Sequence, residues 1–317
     1  MRAGLLVNPR SGKSSGQGLA LAGKLAGAPG VSVKVLERFD RLPQILDELA
    51  EVGVSDLFIS SGDGTIQAIQ TELAERKPFA SLPRLALLPH GSTNMTAADL
   101  GFRHRGLDAQ ANFIKNLQPT ELNGRPTLRA ANPSDGKPRH GMFLGTGAIS
   151  QAALFVQQTF NARGVKGDLA IFATLAGAVA RSLFTPSNPY DSSRFDRPFA
   201  ISVETGGKFV AHGQHLLVLA TTLEKLTLGS TPFWGGKQGP IRATVIPWPV
   251  PSLPRWLLPI LYGSENRKGP PGAASFSTAA LAIRSPVSFV LDGEFFDAPG
   301  GEALQVETGP IFTYVRG

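Results

Sequence analysis

The chain has 317 residues, 42% of them apolar, with 36 glycines, 25 prolines and a formal charge of +7. That length carries two domains with real cores, and the recurrence of apolar segments excludes a disordered protein. The absence of cysteine excludes disulfides, thiolate zinc sites and a cysteine nucleophile, and five histidines without ligand spacing argue against zinc altogether. The positive charge favours anionic partners such as a nucleotide or anionic lipid, while basic residues scattered without a recognisable motif argue against nucleic acid.

Residues 2–7 predict a first strand, since their apolar run is too short for a signal peptide. The loop Asn8-Pro9-Arg10-Ser11-Gly12-Lys13-Ser14-Ser15-Gly16 comes next, polar and glycine-bearing, before a helix over 17–25. It approaches a P-loop but lacks the first glycine at Walker spacing. Beyond it lie a strand over 31–36 and a helix over 42–52, the helix placing Leu42, Ile45, Leu46 and Leu49 on one face. Asp56-Leu57-Phe58-Ile59-Ser60 reads as a buried strand, and Ile66, Ile69, Leu73 and Ala74 repeat at helical spacing beyond it.

Between strand and helix stands Ser61-Gly62-Asp63-Gly64-Thr65. Open α/β sheets bind ligands at the carboxyl ends of their strands, and the first N–H groups of a helix are free to hold phosphate. Two glycines let the backbone approach an anion, Asp63 can hold Mg²⁺ or orient phosphates, and Thr65 adds a hydroxyl. The same residues also suit a tight turn with an N-capping aspartate. The all-apolar strand over 85–89 ends in a second turn of this kind, His90-Gly91-Ser92-Thr93-Asn94, and a helix over 107–117 closes the first half.

After Asn123-Gly124 the pattern changes to short strands, over 127–131, 140–144, 199–203, 216–220, 241–246 and 287–291, with one long buried helix over 167–184. A last strand over 311–315 is apolar enough to return to the first domain. The expected architecture is an N-terminal α/β nucleotide-binding domain over 1–124, with 304–317 returning to it, and a mostly antiparallel β-sandwich over 125–303. Asp292-Gly293-Glu294 lies between apolar runs. It is either a hairpin turn alone or a pair of carboxylates placed to accept a proton and help hold metal. Residues 246–262 combine Trp248, Trp256, Tyr262 and branched aliphatics with Arg255, and Arg267 and Lys268 lie just beyond; this suits a bilayer surface or a proline-punctuated core segment. No stretch is long and apolar enough to span a membrane, so a cytoplasmic protein is the expectation.

Four motifs, in order, resemble the diacylglycerol kinase catalytic-domain superfamily, which includes bacterial diacylglycerol kinases, sphingosine kinases and ceramide kinases. They are Asn8-Pro9 with Gly12-Lys13, Ser61 to Thr65, Gly91-Ser92-Thr93-Asn94, and Asp292-Gly293-Glu294. The resemblance implies a first domain like that of NAD kinases, a β-sandwich that receives the lipid, and a site in the cleft between them. It implies ATP held by Asn8, Pro9, Gly12, Lys13, Ser61, Gly62, Gly64, Thr65, Gly91, Ser92 and Asn94, and Mg²⁺ at Asp63. Glu294, assisted by Asp292, would be the base that deprotonates the lipid hydroxyl.

The same resemblance implies an ATP-dependent lipid kinase acting on diacylglycerol or a ceramide or sphingoid base. It would dock peripherally on the anionic inner face of the membrane, with a homodimer among the expected states and no nucleic-acid partner. Three positions depart from the family pattern. Met95 stands where an aspartate is usual, Gly145 to Ser150 lacks the usual aspartate, and Lys237-Gln238-Gly239 comes after Phe233-Trp234-Gly235-Gly236 where acids hold a structural Mg²⁺ in many relatives. An NAD kinase-like enzyme with a soluble acceptor and a catalytically silent binding module are the alternatives.

Overall fold

The computed structural model of the chain describes residues 2–11, 15–91, 94–154, 194, 197–265, 267 and 269–317. The helix expected over 167–184, together with Gly12, Lys13, Ser92 and Lys268, lies outside the described residues. The chain clusters into two compact units, one of residues 1–127, 223–228 and 309–317, the other of residues 128–222 and 229–308.

The first unit is built on buried parallel strands. β1 (Ala3–Val7) and β3 (Asp56–Ser61) are buried along their whole length, and β4 (Arg84–Pro89) through its centre. Strands covered on both faces have no polar side to alternate, which is why these segments read as unbroken apolar runs. β2 (Val31–Val35) flanks β1, and Leu5 stands in register with Val33 on one side and Phe58 on the other. The spatial order is β2-β1-β3-β4, and β15 (Leu304–Val315) joins beyond β4 by placing Tyr314 parallel to Leu85. The expected return of the C-terminal strand is therefore observed. Its Tyr314 hydroxyl accepts a hydrogen bond from Gln70 Nε2 at 2.7 Å inside the core.

Five helices accompany this sheet: α1 (Ser15–Leu25), α2 (Leu42–Glu51), α3 (Asp63–Glu75), α4 (Met95–Leu100) and α5 (Leu107–Asn116). α2 buries Leu42, Ile45, Leu46 and Leu49, the stripe its spacing predicted. Leu21 and Leu25 of α1 and Ile114 of α5 pack with Leu5, Val7, Phe58 and Leu88 in one core. Gly18 lets α1 lie close, because a methyl there would strike the Ser60 hydroxyl and Val7. The strand order has a functional consequence. From β1 the chain goes to β2 on one side and comes back to β3 on the other, so the loops after β1 and β3 diverge and open a crevice at the sheet's carboxyl edge.

The second unit is rich in antiparallel strands. They are β6 (Arg139–Gly141), β7 (Phe143–Gly147), β8 (Phe199–Thr205), β9 (Lys208–Thr221), β10 (Ile241–Pro247), β11 (Ala274–Thr278), β12 (Ala280–Arg284), β13 (Phe289–Leu291) and β14 (Glu294–Phe296). β5 (Leu122–Ala130) leads in and pairs with β6. The fourteen-residue β9 organises the unit: its first half pairs with β8 and its second half lies between β7 and β10. A core of Leu144, Ile201, Val203, Val218, Ala243, Ile283 and Phe289 holds these strands together. The strand expected over 140–144 is broken at Met142, and the one over 216–220 is the second half of β9. A helix, α6 (Leu253–Leu261), comes after β10. No helix among the described residues is long and apolar enough to cross a membrane.

Candidate functional site

The β3–α3 turn lies on the crevice side of the switch between β1 and β3. Gly62 is the N-cap of α3 in extended conformation, so the helix begins with Asp63 as its first residue. The Thr65 and Ile66 amides turn back to the Gly62 carbonyl, and the Gly62 amide donates to the Ser11 hydroxyl at 2.5 Å. The amides of Asp63 and Gly64 take no acceptor among the described residues, and these are the donors a helix start offers to an anion. Asn8 Nδ2 donates to the Thr65 hydroxyl at 2.9 Å, and the Asn8 amide reaches the Ser60 carbonyl at 3.1 Å. The loop after β1 is thereby tied to the turn after β3 through Asn8 and Ser11.

Asp63 is nearly buried and its carboxylate is already engaged. One oxygen accepts the Met95 amide at 2.9 Å and the other the Thr96 amide at 3.0 Å, so a single side chain satisfies the first two N–H groups of α4. An ionised carboxylate has about four acceptor positions, so among the described residues each oxygen keeps one for a cation or water. The Asn94 side chain closes a ring on Gly91, accepting its amide at 2.7 Å and donating to its carbonyl at 2.7 Å, with Asn94 itself left-handed at φ 49. Gly91 lies directly on Gly62, because a methyl at 91 would collide with the Gly62 Cα. The two glycine turns thus touch backbone to backbone, with the Ser11 hydroxyl against Gly62 and the Asn94 side chain against Gly91. The Ser61 hydroxyl is buried just behind and has no hydrogen-bond partner among the described residues.

Beneath both turns the Ser60 hydroxyl meets His90 Nδ1 at 2.8 Å. His90 is buried, and burial lowers its pKa below the ordinary 6.5. The neutral ring braces the second turn against β3 without adding charge.

In the second unit, Asp292 and Gly293 are the two central residues of a β13–β14 hairpin, with Leu291 opposite Glu294. Both are left-handed, at φ 49 and φ 90, the conformation for which Asp-Gly is selected in two-residue hairpin loops. The Asp292 oxygens accept the Met142 amide at 2.8 Å and the Phe143 amide at 2.9 Å, and the Asp292 amide donates to the Phe143 carbonyl. This explains the break between β6 and β7: Met142 leaves the ladder to bond a carboxylate. Gly141 permits the approach, since a methyl there would meet an Asp292 oxygen at 2.6 Å. Glu294 is exposed and its carboxylate takes no partner among the described residues, which leaves it able to accept a proton.

The structure thus brings Asn8, Ser61, Gly62, Asp63, Gly64, Thr65, Gly91 and Asn94 together, with Pro9 in the adjoining turn, and pairs Asp292 with Glu294 on one hairpin. Ser11, His90 and the Met95 and Thr96 amides are additional members that sequence motifs did not single out. Ser11 sits within the first loop, but nothing in its type marks it, and a backbone amide has no sequence signature. The Phe233 to Gly239 segment packs along β11, with the Trp234 amide on the Ser275 hydroxyl at 3.0 Å and Gly235 against the Ser275 carbonyl.

Comparison with known proteins adds to this geometry. The diacylglycerol kinase catalytic domain matches residues 2–122. Among solved structures, the chain is similar to a "putative diacylglycerol kinase" from Bacillus anthracis str. Sterne, with a TM-score of 0.67 and 17% identity over 100% of this chain and 97% of that one. A second structure from the same organism, described as a diacylglycerol kinase, gives 0.65 and 17% over the same shares. No curated protein matches the sequence. Residues 2–122 accordingly match a diacylglycerol kinase catalytic domain, and the chain as a whole has the fold of the diacylglycerol kinase structures of B. anthracis.

Proposed function

We propose that the chain is an ATP-dependent lipid kinase that transfers the γ-phosphoryl group to the primary hydroxyl of diacylglycerol, with ceramide or a sphingoid base as the alternative acceptor. The observation that carries this reading is the close backbone approach of Gly62 and Gly91 at the sheet's switch point, beside amides of Asp63 and Gly64 that take no acceptor among the described residues. Phosphoryl transfer asks a protein chiefly to hold phosphates and align an acceptor. The first unit has the parts for the former: helix-start amides and the Thr65 hydroxyl held by Asn8, and the sequence adds Lys13 in the same motif as Asn8.

The donor set also fits a magnesium nucleotide. No group of three acidic or histidine side chains occurs among the described residues, and Mg²⁺ is ordinarily held by one or two carboxylates with phosphate oxygens and water. Asp63, with one acceptor position left on each oxygen, would be that carboxylate. When bound, Mg²⁺ would neutralise phosphate charge. In the second unit Asp292 is committed to the Met142 and Phe143 amides, so Glu294 is the residue to take the acceptor's proton. The acceptor oxygen forms its bond to the γ-phosphorus, the bond to the β–γ bridging oxygen breaks, ADP leaves, and the proton passes to the Glu294 carboxylate.

A lipid acceptor requires a bilayer-facing element, and α6 suits it. Leu258 is 64% exposed, Leu261 and Tyr262 are exposed beside it, and Arg255 and Arg267 outnumber the neighbouring acid Glu265. Each such cation contributes about 1 kcal/mol near an anionic leaflet. The testing experiment offers Mg·ATP with labelled γ-phosphate to micelles of diacylglycerol, ceramide or sphingosine, with NAD as a soluble acceptor. Label in one lipid supports the proposal and names the acceptor. Label in NAD alone, or in nothing, overturns it.

A further inference from the structure

The first unit contains a pocket that adjoins the second glycine turn, with Pro89 and His90 in its wall. Its volume is about 720 Å³, and Ala98, Phe102, Arg103, Arg105, Gln110 and Arg316 are among the residues that line it. It opens where β4 and β15 end, under the segment that joins α4 to α5. No acidic side chain is among the described residues that line it. Arg103 and Arg316 share the single carboxylate of Glu121, at 2.9 Å and 3.9 Å, and Arg316 Nε makes no hydrogen bond among the described residues. Arg105 is exposed and forms no ion pair among the described residues. Three guanidinium groups therefore face one acid, an excess that attracts an anion.

The pocket is preformed. The Phe102 amide bonds the Leu87 carbonyl at 3.0 Å and the Arg103 amide the Arg316 carbonyl at 2.8 Å, so the joining segment extends the sheet. The Phe102 ring packs against Phe58, His104 and Phe113 at centroid distances of 5.7, 4.9 and 4.8 Å. Gln110 lines the pocket from α5; it is 4% exposed, and its Nε2 donates to the His104 carbonyl at 3.2 Å, which ties the joining segment to that helix. Gly106, left-handed at φ 86, opens the ten-residue α5 alongside, with that helix's first amides next to the arginines.

We propose that this pocket binds a phosphomonoester whose phosphate meets Arg105 and Arg316. The ester is either a free sugar- or glycerol-type phosphate or the headgroup of a lysophospholipid. It is a different ligand from the nucleotide assigned to the β3–α3 turn.

The test titrates the full ¹⁵N-labelled chain with inorganic phosphate, with glycerol 3-phosphate, and with phosphatidylcholine vesicles containing lysophosphatidic acid, reading the amide signals of His104, Arg105 and Gly106. Glycerol 3-phosphate and inorganic phosphate should both move these signals, since the arginines meet the phosphate group they share. Arg105→Ala, at an exposed position, should weaken binding about tenfold with the melting temperature unchanged. Movement of the same signals by the vesicles names the lipid source, and movement by the free ester alone names the soluble one. Unmoved signals with every probe, or undiminished binding by Arg105→Ala, overturns the proposal. None of these readouts depends on kinase turnover.

Discussion

The carboxylate of Asp63 accepts the backbone amide of Met95 at 2.9 Å. Because the bond is to backbone, the identity of side chain 95 does not enter it, and a methionine at this position leaves the tie between the two turns intact. Asp63→Ala strands the Met95 and Thr96 amides, the latter fully buried. Urea unfolding should show a loss of roughly 2 kcal/mol, the cost of unmet buried donors. Met95→Ala should stay within about 1 kcal/mol of wild type.

The two acids of the hairpin separate by function. Asp292→Ala removes the acceptor of two amides in the β6–β7 break and should destabilise the protein by about 2 kcal/mol. Glu294→Gln, at an exposed position, should leave stability within about 0.5 kcal/mol. Thermal melts of the two variants side by side check the contrast.

Glycine is required at one place and dispensable at another. Gly91→Ala drives a methyl into the Gly62 backbone and the Asn94 side-chain oxygen, and should cost about 1–3 kcal/mol together with nucleotide binding. Gly23, inside α1, has open space around it, and Gly23→Ala should stabilise by roughly 0.5–1 kcal/mol. Calorimetry on the pair measures both.

Burial depresses the His90 pKa below 6.5, so between that value and its lower folded value the unfolded chain binds more protons. The contribution to stability is therefore full above pH 6.5 and declines as pH falls through the window beneath it. His90→Gln should flatten this part of the stability–pH curve. Unfolding free energies measured between about pH 7.5 and 5 for both proteins give the difference directly.

Leu258→Glu places a charge on the exposed face of α6 without touching a core. It should weaken cosedimentation with anionic vesicles severalfold at an unchanged melting temperature. Equal sedimentation would remove α6 from the membrane account.

Much of the first unit could be read from the chain because parallel strands buried on both faces leave unmistakable runs, as in Leu85-Ala86-Leu87-Leu88, and because α2 carries an unambiguous stripe. The Asp292-Gly293 turn was equally readable, since few dipeptides tolerate two left-handed residues. β11, Ala-Ser-Phe-Ser-Thr, was not: it is half-buried throughout and shows neither an apolar run nor clear alternation. The break at Met142 depends on Asp292, 150 residues away, and no local pattern announces it. The engagement of Asp63 is hidden for a related reason, since its partners are amides that nearly every residue possesses. The Gln110 pocket draws on α4, α5 and the end of β15, segments that come together only in the folded unit.

The most direct test of the kinase account compares wild type and Glu294→Gln for transfer of labelled γ-phosphate from Mg·ATP to diacylglycerol micelles, with Mg·ATP affinity measured on the same preparations. The account predicts a labelled lipid from wild type and a turnover lower by about two to four powers of ten in the variant, at unchanged nucleotide affinity. Equal turnover of the two proteins, or no labelled lipid from wild type, would contradict it.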